Sequence, residues 1–251
     1  VVKEDKAVML RQSALEASNL LVDTLKDGLG ENLLSVSLVG SCLTADFIEK
    51  KSDINSVIVL KEIDRESLGL LSSMAKSLTK RRISSPLTMT GPYIGRSLDV
   101  FGMEFLNFIN VHKTVFGEDP FVGLEIKAVD VRLQCERELK AMLIRLRQGY
   151  LASRGNRRIV GDILVSTVKG FGPILNAMLW LRGVGQEVLL NDIFTAAGGE
   201  FDFTADILVT INGMRRGRFG MNSDETEEAF GAVYAIADQL AGLIDTLETS
   251  R

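Results

Sequence analysis

"SLVGSCLTADFIEKKSDINSVIVL", residues 37–60, is the stretch on which the fold of this chain turns. Its first residues close the run "LLSVSLVG" (33–40), a strand by its alternation, with Val36 and Leu38 on one face. That run ends on Gly40-Ser41, and a second opens behind Asp53-Ile54-Asn55. "INSVIVL" (54–60) is nearly continuous in apolar residues, as expected of a strand buried on both faces. Glycine lets a backbone approach a phosphate closely, and a serine hydroxyl can bond a phosphate oxygen. Side chains two apart on a strand share a face, so Asp53 and Asn55 are expected to project together. Paired side-chain oxygens are a natural seat for Mg2+. A third acid from a neighbouring strand would complete the cluster. Glu104 is placed for that role if "FGMEFLNFI" (101–109) is the strand it resembles, and Asp99 is its rival.

Outward from this stretch, residues 7–26 read as an amphipathic helix carrying Leu10, Leu21 and Leu25, closed by Gly28 and Gly30. Asp64 is a candidate N-cap for a helix over 65–82, with Leu68, Leu71, Ala75 and Leu78 as its apolar stripe. "PLTMT" (86–90) is a short strand, interrupted by Gly91-Pro92 and followed by a brief helix over 93–99. "FGEDP" (116–120) breaks the pattern with Gly and Pro. From about 127 the periodicity becomes helical, with Leu139, Leu143, Leu146 and Tyr150 in one band. Further helices are expected at 157–183, 189–199, 203–213 and 224–248. The last carries Phe230, Val233, Ala237, Leu240 and Ile244, a stripe that is core or a homodimer surface. The class is therefore α+β, with a small mixed-sheet domain over 1–124 and a helical bundle over 125–251.

Composition narrows the function classes. A hydrophobic fraction of 46% with 25% charged residues is that of an ordinary globular protein. A net charge of -4 argues against dedicated nucleic-acid binding. Cys42 and Cys135 have no metal-ligand spacing and suit a reducing, cytoplasmic setting. The single histidine, His112, removes most zinc sites and His-based triads, and with no partner suggested it reads as structural. No apolar run approaches the roughly 20 residues of a membrane span, so no membrane partner is expected. The N-terminus is not a signal peptide, and Val1 in place of Met suggests a trimmed or partial chain.

The Gly40-Ser41 turn, the spacer, Asp53 before a buried strand and Glu104 together resemble the nucleotidyltransferase superfamily, the fold of DNA polymerase beta and the aminoglycoside nucleotidyltransferases. "HKTVFGEDP" (112–120) is similar to the segment that leads into the helical domain of the small antibiotic-modifying members. The resemblance implies transfer of a nucleoside monophosphate from an NTP, such as ATP, to an acceptor hydroxyl of a small molecule or protein, with release of pyrophosphate. Gly40 and Ser41 would lie at the phosphates, Asp53 and Asn55 would orient Mg2+, and Glu104 would ligate a second ion or act as general base. Arg137 and Lys140, on one face of a helix, are candidate phosphate contacts, although a solvated face interleaved with Glu136 and Glu138 explains them as well.

The pattern departs from the family at Asn55, where a second acid is expected. An amide oxygen can ligate a metal but brings no charge, and Asp46, Glu49 or Asp99 would have to compensate. Two readings follow: a working Mg2+-dependent nucleotidyltransferase, or a nucleotide- or partner-binding protein of the same fold that has lost catalysis.

Overall fold

The computed structural model describes residues 12–49, 51–215, 217 and 219–247. Residues 7–11 of the first expected helix, with Leu10, and part of the basic loop "RRGRFG" (215–220) lie outside them. The chain forms two compact units, one from Val1–Leu98 with Phe105–Glu125, the other from Asp99–Glu104 with Ile126–Arg251.

The first unit is built on a four-stranded mixed sheet of β1 (Leu33–Val39), β2 (Asn55–Leu60), β3 (Leu87–Thr90) and β4 (His112–Gly117). Their spatial order is β3-β2-β1-β4, with β1 antiparallel to β2 and β4, and β2 parallel to β3. Pairing brings Leu38 opposite Ser56 and Val36 opposite Ile58, so these residues share a face. That face packs into a core with Leu21 and Leu25 of α1 (Gln12–Leu29) and Leu78 of α2 (Arg65–Lys80). The opposite face carries Ser35, Ser37 and Val39 beside Asn55, Val57 and Val59. There the Ser37 and Thr114 hydroxyls bond each other at 2.9 Å. Asp64 caps α2 as expected, its carboxylate accepting from the Ser67 N–H at 2.7 Å while the Ser67 hydroxyl accepts from the Asp64 N–H at 3.0 Å. The buried face of α2 is turned from the expected stripe, however: Leu70, Leu71 and Met74 pack on the core and Leu68 is exposed. A brief helix, α3 (Gly91–Gly95), follows β3.

One element is of the other type. "FGMEFLNFI" is not a strand; α4 (Gly102–Asn110) occupies it and buries Met103, Phe105 and Leu106 at helical spacing. An apolar run of this length fits a buried strand or a buried helix equally, and periodicity alone cannot separate them. The fourth strand is instead β4, whose residues are mostly half-buried because it lies at the sheet edge. That position explains why it carries no apolar run to read.

In the second unit α5 (Ala128–Ser153), α6 (Arg157–Leu181), α7 (Leu190–Phe201), α8 (Asp206–Met214) and α9 (Ser223–Asp245) form a bundle. α6 is its axis and packs against each of the others. Contrary to the expectation that no apolar run approaches a membrane span, α6 is long and apolar enough for one by length and composition. Val160, Leu164, Val168, Phe171 and Leu175 are nevertheless fully buried within the bundle, which accounts for its apolar character. Asn176 ties it to the following loop: its amide donates to the Glu187 carbonyl and accepts from the Glu187 N–H, both at 3.0 Å. Val233, Ala237, Leu240 and Ile244 of α9 are buried, so that stripe is core.

Candidate functional site

The sheet brings the two halves of the opening motif together. Val39, the last residue of β1, pairs with Asn55 on one side and with His112 on the other. The turn Gly40–Leu43 therefore begins level with the start of β2 and of β4. Gly40 has φ +76, a conformation that costs glycine nothing and other residues strain. Its N–H reaches the Val111 carbonyl at 3.5 Å. Ser41 is half-buried and Asn55 exposed, so both present polar groups at this end of the sheet. Cys42, folded beneath the turn, donates its S–H to the Val39 carbonyl at 3.5 Å. Burial pushes its thiol up to about 11, against which the Asn55 N–H bonded to it acts in the opposite direction.

Asp53 stands just before β2, where Ile54 forms an isolated bridge to Ile83. That bridge carries Arg82 alongside, held in the left-handed region at φ 57. The Arg82 guanidinium lies 3.6 Å from the Asp53 carboxylate and donates to the Lys51 carbonyl at 3.4 Å. Both members of the ion pair are more than half exposed. Nothing in the sequence pointed to Arg82, because its approach depends on a positive φ after α2 and on a bridge between segments far apart in the chain.

The other expected residues lie elsewhere. Glu104 sits in the first turn of α4, not on a strand, and its carboxylate accepts from the side-chain amide of the buried Gln134. Gln134 in turn accepts from the Met103 N–H at 2.8 Å, so Glu104 and Gln134 fasten the start of α4 within the second unit. Arg137 and Lys140 lie on α5 of the same unit, each with a carboxylate. Arg137 is 3.4 Å from Glu138, and Lys140 bonds Glu136 at 2.6 Å and Asp245 at 3.0 Å. The bonds to Glu136 and then Asp245 raise the Lys140 pKa. His112 does have partners: Nδ1 donates to the Phe108 carbonyl at 2.7 Å, and Nε2 lies 2.9 Å from Asp119. Through these two contacts the ring joins β4 to the end of α4 and to the loop that follows β4.

The sequence matches no protein-family model and no curated protein. Among solved structures the chain is similar to the spectinomycin adenyltransferase AAD(9) from Enterococcus faecialis, solved with ATP and spectinomycin. The similarity covers 90% of this chain and 98% of that one, at a TM-score of 0.60 and 10% identity. The fold is that of an aminoglycoside nucleotidyltransferase.

Within the nucleotidyltransferase fold, the donor set can be tested against a metal. The four strands, "LLSVSLV", "NSVIVL", "LTMT" and "HKTVFG", contain no acid. Level with Asn55 are Val39 and His112, and the chain running beside Ile54 continues as Ser84-Ser85. Among the described residues no group of three or more His, Cys, Asp or Glu converges as a metal site. Asp53 and Asn55 thus bring one carboxylate, facing a guanidinium, and one neutral amide. Mg2+ bound to protein and phosphate oxygens relies on carboxylate charge, of which this pair supplies a single unit.

Proposed function

We propose that this protein binds a nucleoside triphosphate at the Gly40-Ser41 turn of a nucleotidyltransferase fold and has lost the metal-dependent transfer step. The observation that carries the reading is the acid-free sheet beside Asn55, with Arg82 occupying the electrostatic place of a cation next to Asp53. The glycine-serine turn supplies what phosphate binding asks for: a backbone without a side chain in the way, and a hydroxyl. Arg82 adds a fixed positive charge at the same end of the sheet, which a triphosphate can use without a bound metal. The two buried thiols fit a reducing compartment such as the cytoplasm.

A second reading, a Mg2+-dependent nucleotidyltransferase acting on a small-molecule hydroxyl, is favoured by one observation. Asp53 is exposed and its ion pair is open at 3.6 Å, so a metal-bound triphosphate could draw the carboxylate away from Arg82. The similar adenyltransferase, solved with ATP and spectinomycin, supports the same reading.

Calorimetric titration with ATP, with Mg2+ and with EDTA, combined with pyrophosphate release over a panel of hydroxyl acceptors, separates the two. The first reading expects ATP binding that survives EDTA and no pyrophosphate from wild type. It also expects Ser41→Ala to weaken ATP by about three- to tenfold, the worth of one hydrogen bond. Acceptor-dependent pyrophosphate release by wild type that disappears in Asp53→Ala would establish the second. Release that arises only in Asn55→Asp would identify residue 55 as the point at which catalysis was lost. Failure of wild type to bind ATP under either condition sinks both.

A further inference from the structure

The first unit contains a cavity of about 620 Å3 at the far end of the same sheet face. Ser35 and Val59, which pair across β1 and β2, form its floor, and Ile94 of α3 and Leu124 wall it. Ser35 lies four residues before Val39, which places the cavity roughly 13 Å along the strand from the Gly40 turn. Its volume is within the range of small-molecule sites.

Three observations give it a chemistry. First, the Ser35 hydroxyl is buried and has no hydrogen-bond partner among the described residues, an arrangement that leaves a polar group waiting for one. Second, the charges on the lining are both negative: Glu118 and Asp119. Asp119 is spent on His112 and on the Phe121 N–H, which it accepts at 2.9 Å, whereas Glu118 is exposed and has no ion pair among the described residues. Third, the wall is built in advance. Phe121 is buried, with its ring 4.9 Å from His112 and 5.6 Å from Phe108, so the segment bearing Glu118 and Asp119 is held on both sides.

We propose that this cavity is a binding site for a compact organic cation, an ammonium group carried on an apolar body. The ammonium would meet Glu118 at the rim, and the body would fill the space between Val59, Ile94 and Leu124. A hydrogen-bonding group on the inner side would satisfy Ser35. The proposal does not depend on nucleotide binding, and its test uses no nucleotide.

The full chain is titrated with three probes of one shape, 1-adamantylamine, 1-adamantanol and 1-adamantanecarboxylate, by calorimetry and by amide chemical-shift mapping. The amine is expected to bind with shifts centred on Val59, Gly95 and Gly117–Asp119, and the carboxylate about tenfold or more weakly, because it meets the rim with like charge. Glu118→Gln should weaken the amine by about threefold, as for a solvent-exposed ion pair, and leave the alcohol unchanged. Gly95 lines the cavity, and a Cβ there meets nothing within 4 Å, so Gly95→Phe should fill the space and abolish binding of all three probes. Circular dichroism checks that each variant is folded, and Glu118→Gln alone remains decisive if Gly95→Phe is not. Equal affinity for the three probes, no binding of the amine, or amine binding indifferent to Glu118→Gln overturns the proposal.

Discussion

Gly117 shows how much a single residue can carry. It closes β4 at φ +74, and a Cβ there would collide with the carbonyl oxygen of Leu34 on the neighbouring strand. Gly117→Ala thus meets an unfavourable backbone conformation and a backbone clash together. We expect a loss of about 2–4 kcal/mol in urea unfolding, with the Phe121 environment disturbed because the loop that follows loses its anchor. The glycine is legible in "FGEDP" as a turn signal, but the close approach of β1 is not. The same division holds at Asp53. Its type and spacing are plain in the sequence, whereas Arg82, which sets its charge environment, stands on a segment brought alongside only by the Ile54–Ile83 bridge. Asn55 could be flagged from the sequence as a missing acid, and only the strand register shows that Val39 and His112, level with it, bring no carboxylate in its place.

Among the elements, the helices of the second unit were legible because each keeps a 3.6-residue apolar period over several turns. The α4 segment was not: apolar residues fill most positions of "FGMEFLNFI", so neither a period of 2 nor one of 3.6 stands out in it. This matters for function, since reading it as a strand would have put Glu104 on the sheet beside Asp53. A helix can also depend on one polar contact. Asn176 is buried and joined to Glu187 by two hydrogen bonds, so Asn176→Ala strands the Glu187 backbone groups. We expect a cost of about 1–3 kcal/mol, seen as a lower melting temperature and faster amide exchange in the loop between α6 and α7.

At the scale of the molecule, each unit contains one free thiol, Cys42 in the first and Cys135 in the second, and both are buried. Burial raises both, Cys42 to about 11 and Cys135 to about 12. Thiolate is the reactive form, so neither should react with Ellman's reagent at neutral pH until its own unit opens. Labelling across a urea gradient, read by peptide mapping, should show no fast-reacting thiol in the native protein and should report the opening of each unit separately. A raised pKa also has a sign. The stability that these thiols contribute is complete below the unfolded value of 9.0 and declines as pH rises towards the folded values. Rapid labelling of Cys42 in the native state would contradict the closed packing under the Gly40 turn.

By itself, the sequence determined the α+β class, the Gly40-Ser41 turn between two strands, the missing acid at Asn55 and the helices that follow. These rest on local periodicity and on residue types that lie close together in the chain, where sterics and side-chain chemistry act directly. Tertiary structure alone decided that Glu104 belongs to a helix and is bonded to Gln134, that Arg82 faces Asp53, and that an acid-free sheet surrounds Asn55. The cavity under Ser35 is also its work. Each of these is a meeting of segments distant in sequence, fixed by strand register and by packing, and neither leaves a period or a spacing to be read along the chain.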